Sequence, residues 1–225
     1  MEKNIVKPFR SVMWDLDGVL LDSESLHIRA ELETFKEIGL KVSEGIAKEY
    51  LGVKLDEYFR DILRRFNAST SFEKVLHSHY ERLKKYYKEV FPLNREAISV
   101  LKSLYGEYIL ILVTNREREL VDIVIDRFNL RHFFKFVITS DDVVKSKPDP
   151  TPYLTACKWL GIQPNEGVTV EDSLAGIISA KDAGLVVIGL IGDHNRSEDL
   201  SKADFLVERL SEVPGILRKI EEAKV

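Results

Sequence analysis

Apolar positions along this chain follow two different periods. Short, nearly continuous apolar runs rich in Val and Ile occupy residues 9–15, 108–113, 136–139, 167–170 and 185–190, and residues 204–207 read as a last edge strand. Helical patterns separate them at 117–128, 151–160 and 174–183, and a closing helix is expected at 212–223. Continuous apolar strands alternating with helices imply an α/β protein whose parallel sheet is covered on both faces. Between the first two strands the period changes. Leu55, Tyr58, Phe59, Ile62, Leu63 and Phe66 fall at helix spacing, and so do Phe72, Val75, Leu76, Tyr80, Leu83, Tyr87 and Val90. Residues 23–91 far exceed the dozen or so that a crossover needs. They are expected to form an all-helical insert, hinged near Asp22 and Pro92, on a core made of 1–22 and 92–225.

Composition narrows the class. With 33 Lys and Arg against 37 Asp and Glu, the net charge of −4 argues against a nucleic-acid binder, which needs a basic stripe to neutralise phosphates. At 44% hydrophobic and 31% charged, the 225 residues suit a folded protein rather than a disordered one. Cys157 is the only cysteine, so no intrachain disulfide can form. No apolar run approaches the ~18 residues of a membrane span, and the first ten residues have no apolar core. A soluble cytoplasmic protein, without membrane or nucleic-acid partners, is expected.

Open α/β sheets bind ligands at the carboxyl ends of their strands. The first strand is followed there by Asp15-Leu16-Asp17-Gly18, the second by Thr114-Asn115, the third by Lys147-Pro148-Asp149-Pro150, and the fourth by Glu171-Asp172-Ser173. Each taken singly reads as turn or cap chemistry. Together they bring in the acids Asp15, Asp17, Glu171 and Asp172, the Thr114 hydroxyl, the Asn115 amide and Lys147. Clustered carboxylates repel unless a hard cation sits among them, and Mg²⁺ takes oxygen ligands while leaving room for substrate oxygens. A hydroxyl, an amide and an ammonium suit a phosphoryl group, whose transfer depends on positioning and charge stabilisation.

These segments, extended to Asp15-Leu16-Asp17-Gly18-Val19-Leu20-Leu21-Asp22-Ser23 and Glu171-Asp172-Ser173-Leu174-Ala175-Gly176, resemble the haloacid dehalogenase-like hydrolases. The resemblance spans residues 9–190. It is to the subfamily with a helical cap after the first strand, which holds β-phosphoglucomutase-like proteins, phosphoglycolate phosphatases and sugar-phosphate phosphatases. It implies a Rossmann-like core that hydrolyses a small phosphorylated metabolite through an aspartyl-phosphate. On these positions Asp15 would be the nucleophile and Asp17 the general acid and base. Mg²⁺ would be held by Asp15, the Asp17 backbone carbonyl, Asp172 and Glu171. Thr114 and Asn115 would bind phosphoryl oxygens, and Lys147 would offset the charge on Asp15 and the substrate. At the second hinge, Phe91-Pro92-Leu93-Asn94 stands where relatives often have Pro-Gly.

Other residues have plainer readings. His27 matches a cap histidine that assists proton transfer in mutase-like relatives, and is a candidate substrate contact; a surface or hinge histidine is the alternative. Lys54 lies near where a relative has a phosphate-binding arginine. His77 and His79, two apart on a helix, point in different directions. Cys157 reads as core, and Asp193-His194-Asn195 as a turn. No nucleotide-loop or dinucleotide glycine motif occurs. The leading expectation is a phosphatase, favoured by Thr114-Asn115. A β-phosphoglucomutase-like isomerase is the alternative, and a phospho-accepting signalling receiver the remote non-enzymatic one.

Overall fold

The computed structural model describes residues 9–50, 55–90, 92–192, 195–196 and 199–223. It divides into two compact units, one of residues 1–22 with 93–225 and one of residues 23–92. The first unit is built on six strands: β1 (Ser11–Trp14), β2 (Ile109–Val113), β3 (Phe134–Ile138), β4 (Gly167–Glu171), β5 (Val186–Leu190) and β6 (Phe205–Val207). They lie in the order β3-β2-β1-β4-β5-β6, and every neighbouring pair is parallel. All four residues of β1 are buried, so both sheet faces are covered. On one face Met13, Ile111, Val113 and Ile138 pack with Tyr153, Ala156 and Ile177 from the intervening helices. The chain proceeds outward from β1 to β2 and β3, then returns beside β1 as β4. The resulting switch point between β1 and β4 leaves a crevice at their carboxyl ends, the place where Rossmann-like sheets take ligands.

Helices of the second unit are α1 (Glu24–Glu37), α2 (Glu44–Lys48), α3 (Leu55–Arg65) and α4 (Phe72–Glu89). Ser43 and Ser71 cap α2 and α4, each accepting a backbone N–H three residues on. The unit has its own core, centred on Phe35, Phe59, Ile62 and Val75. Arg82 ties α4 to α1 through Glu33 and Glu37, at 3.1 and 2.6 Å. Among the described residues no helix is long and apolar enough to cross a membrane.

The first unit resumes beside the place it left off. Leu21 and Leu93 form an antiparallel bridge, and Asn94 N–H bonds the Leu20 carbonyl at 2.9 Å. The remaining helices are α5 (Ala97–Leu104), α6 (Arg118–Arg127), α7 (Thr151–Leu160), α8 (Leu174–Ala183) and α9 (Val213–Ala223). Two elements differ from the sequence reading. Helix α5 was not expected; its buried Ala97, Val100, Leu101 and Leu104 form a stripe only two turns long. Strand β3 begins two residues early, because exposed Lys135 interrupts the apolar run and the register to β2 shifts between Leu110 and Leu112.

Candidate active site

The Asp15 carboxylate stands one residue past β1, its backbone N–H bonded to Val170 of β4 at 3.1 Å. Glu171 ends β4, and Asp172 follows it. Each of these three buried acids offers an oxygen within 4.8 Å of the others. Lys147 reaches them from the loop before α7. Its Nζ donates to Asp15 Oδ1 at 2.5 Å, Glu171 Oε1 at 2.6 Å and the Val113 carbonyl at 2.7 Å. All three ammonium hydrogens therefore have acceptors. Burial opposes the charge on Lys147, but Asp15 and then Glu171 outweigh it and hold its pKa well above the usual lysine value.

The carboxylates are less well compensated. Burial, and then repulsion from neighbouring acids, raises both Asp15 and Asp172 above the usual range, against the attraction of Lys147. With all three acids ionised, one ammonium leaves two negative charges in a buried site, which a divalent cation would balance. Glu171 Oε2 is buried with no hydrogen-bond partner. Oxygen donors, an uncompensated charge of −2 and an unpaired buried oxygen together fit a hard metal ion.

Surrounding groups hold this cluster in place. Glu171 also accepts a hydrogen bond from the buried Tyr153 hydroxyl, and Thr169 Oγ1 lies 3.1 Å from the same hydroxyl. Lys147 Nζ sits 5.1 Å from the centre of the Tyr153 ring. Glycine at 176 is a steric requirement, since a Cβ there would collide with the Glu171 carboxylate. Ser173 caps α8 through the Gly176 N–H at 3.0 Å. Asn195 Nδ2 donates to the Asp172 carbonyl at 2.6 Å and to the Leu190 carbonyl at 2.9 Å.

Thr114 is buried at the end of β2, and its Oγ1 accepts the Arg116 N–H at 3.1 Å. An accepting hydroxyl keeps its own hydrogen to donate, which suits an anion. The side chain of Asn115 pairs with the backbone of Lys147. Its Oδ1 accepts the Lys147 N–H at 2.9 Å and its Nδ2 donates to the Lys147 carbonyl at 3.1 Å. These two bonds fix the Lys147 backbone to the end of β2. Asp17 follows β1 in a turn that Gly18 completes at φ +76°, a conformation that favours glycine. Its Oδ2 accepts from Arg116 Nε at 2.7 Å.

Arg116, Tyr153 and Asn195 were not singled out from sequence as parts of the site. The signals were slight: an arginine directly after Thr114-Asn115, and a tyrosine in a core stripe that must bond its hydroxyl when buried. His27 lies on α1 in the helical unit, with Nε2 2.8 Å from the Tyr87 hydroxyl. His77 is exposed, whereas His79 is buried against Phe59. Lys54, Asp193 and His194 lie outside the described residues. Burial pushes the Cys157 thiol up to about 11, as suits an inert core residue.

The site is thus a buried acid cluster, bridged by one lysine, at the switch point of a parallel sheet. The family model for haloacid dehalogenase-like hydrolases matches residues 12–190, and the chain belongs to that family. A phosphoglycolate phosphatase of Nitrosospira multiformis is 30% identical over 228 residues, covering 94% of this chain and 97% of that protein. Validoxylamine A 7'-phosphate phosphatase of Streptomyces hygroscopicus subsp. limoneus is 29% identical, covering 91% and 96%. Among solved structures, CbbY from Rhodobacter sphaeroides in complex with xylulose 1,5-bisphosphate is 26% identical with a TM-score of 0.81, covering 91% of this chain and 96% of that one.

Proposed function

We propose that the protein is a Mg²⁺-dependent phosphatase acting on a small phosphorylated metabolite, a sugar phosphate or a phosphoglycolate-like acid, through a phosphorylated Asp15. The observation that carries this reading is the buried set Asp15, Glu171 and Asp172 with Lys147 bonded across it. The relatives' activities support the substrate class. Mg²⁺, held by Asp15, the Asp17 carbonyl, Asp172 and Glu171, would supply Lewis acidity and neutralise charge on the phosphoryl oxygens.

The protein's own groups carry the steps. An Asp15 oxygen attacks phosphorus, and the bond from phosphorus to the leaving oxygen breaks. Asp17 gives that oxygen its proton. The product alcohol departs, and Asp17 then takes a proton from a water that attacks the aspartyl-phosphate. Inorganic phosphate leaves, Asp15 is again a carboxylate, and Asp17 again carries its proton. Thr114 donates to a phosphoryl oxygen, while Lys147 offsets the charge that gathers around Asp15. The helical unit is assigned the part of a cap that excludes water and limits substrate size, with His27 as a candidate substrate contact.

The test is phosphate release from a panel of sugar phosphates and phosphorylated organic acids. Release with Mg²⁺, abolished by EDTA and by Asp15→Asn, is expected. Failure to release phosphate from every member would overturn the reading.

A further inference from the structure

Arg116 is held by its backbone from two strand ends. Its N–H bonds Thr114 Oγ1 at 3.1 Å, and its carbonyl accepts the Ser140 N–H at 3.0 Å. Ser140 opens a short turn after β3, and that turn is itself fixed: Asp142 Oδ2 accepts from the Thr139 backbone and hydroxyl, both at 2.7 Å. Arg118 pairs with the same Asp142 carboxylate. From this anchored base the Arg116 side chain crosses to the turn after β1, where Nε meets Asp17 Oδ2 at 2.7 Å. Both side chains are about three-quarters buried. A charge-assisted bond between two partly buried groups, one on a clamped backbone, stops rotation of the carboxylate.

We infer that Arg116 is a positioning residue for Asp17, orienting its carboxylate for proton transfer to the leaving oxygen and from water. This rests on the phosphatase reading and deepens it. A guanidinium only donates hydrogen bonds, so the oxygen it holds remains an acceptor. The transferable proton is thereby confined to the other oxygen, in one orientation.

The test uses the full-length protein, with Mg²⁺, and two kinds of substrate. The first is the best alkyl phosphate from the panel, whose leaving alkoxide needs a proton. The second is p-nitrophenyl phosphate, whose nitrophenolate leaves without one. Arg116→Gln is expected to lower kcat on the alkyl phosphate by about tenfold to a hundredfold, part of what general acid catalysis contributes, with KM little changed. The first-turnover release of nitrophenolate should change by no more than about threefold on the same ground. Arg116→Lys, which keeps the charge, should recover part of the loss. Added to Asp17→Asn, Arg116→Gln should cost nothing further, because residues that act as one unit are not additive. Four results would overturn the inference: equal slowing of both substrates, a raised KM with kcat intact, full additivity with Asp17→Asn, or wild-type rates. Should Arg116→Gln not fold, Arg116→Lys is read against the same outcomes. Wild-type activity on the panel, lost in Asp15→Asn, separates failure of this inference from failure of the phosphatase reading.

Discussion

Glycine 176 shows how a single absent side chain can shape a site. It lies in the first turn of α8, and the Glu171 carboxylate occupies the space where its Cβ would be. Gly176→Ala forces the acid or the helix to move, an overpacking cost of about 1–3 kcal/mol. Denaturant unfolding should show that loss, and calorimetry should show weakened Mg²⁺ binding; unchanged stability would mean Glu171 relocates freely. Residues of this kind were legible in sequence as positions, not as contacts. Asp15, Asp17, Glu171 and Asp172 were visible because they stand at or just past the ends of apolar strands, and Lys147 because it opens the Lys-Pro-Asp-Pro segment before α7. Tyr153 and Arg116 were not, because their part depends on how far a side chain reaches across the sheet. A tyrosine in a core stripe looks the same in sequence whether its hydroxyl meets a carboxylate or a backbone carbonyl.

At the scale of elements, the strand ends are bound to one another by side chains from the loops between them. Asn115 joins the end of β2 to the loop carrying Lys147, and Asn195 joins the turn after β5 to the carbonyl of Asp172. Asn195 was read from sequence only as part of a plain turn, but its buried amide anchors the carbonyl of a candidate metal ligand. Asn195→Ala should weaken Mg²⁺ affinity by about tenfold or more, as loss of groups that orient metal ligands generally does. The rate at saturating Mg²⁺ should be largely kept, which activity titrations across Mg²⁺ concentration can check. Most elements were legible because their apolar period is long enough. Helix α7 has the bounds expected for it, residues 151–160. Helix α5 escaped notice because eight residues give only two turns of pattern. The edge strand β3 was mislocated because its outer side is not fully buried.

For the whole molecule, the buried charge makes stability depend on pH and metal together. The carboxylates of Asp15 and Asp172 have pKa values raised by burial above the 3.8 of an ordinary aspartate. Above that value the unfolded chain has released protons that the folded protein still binds, so rising pH favours unfolding. Carboxylates shifted the other way, such as Glu37 bonded by Ser78 and Asp149 bonded by Thr151, give stability that is lost only in more acid solution. Between about pH 5 and pH 8, therefore, the metal-free protein should lose melting temperature as pH rises, as the linkage relation requires. Saturating Mg²⁺ should flatten that slope by supplying the missing positive charge. Thermal melts with EDTA and with Mg²⁺ check this; parallel slopes would remove the cation from the buried site.

Asp15 is proposed to carry the phosphoryl group during turnover. The most direct measurement is mass spectrometry of acid-quenched protein after incubation with Mg²⁺ and p-nitrophenyl phosphate. Asp17→Asn would be examined beside the wild type, because it lacks the base that clears the intermediate. One added phosphoryl group is expected at Asp15, accumulating in Asp17→Asn. Phosphate release by the wild type with no modification at Asp15 in either protein would contradict it.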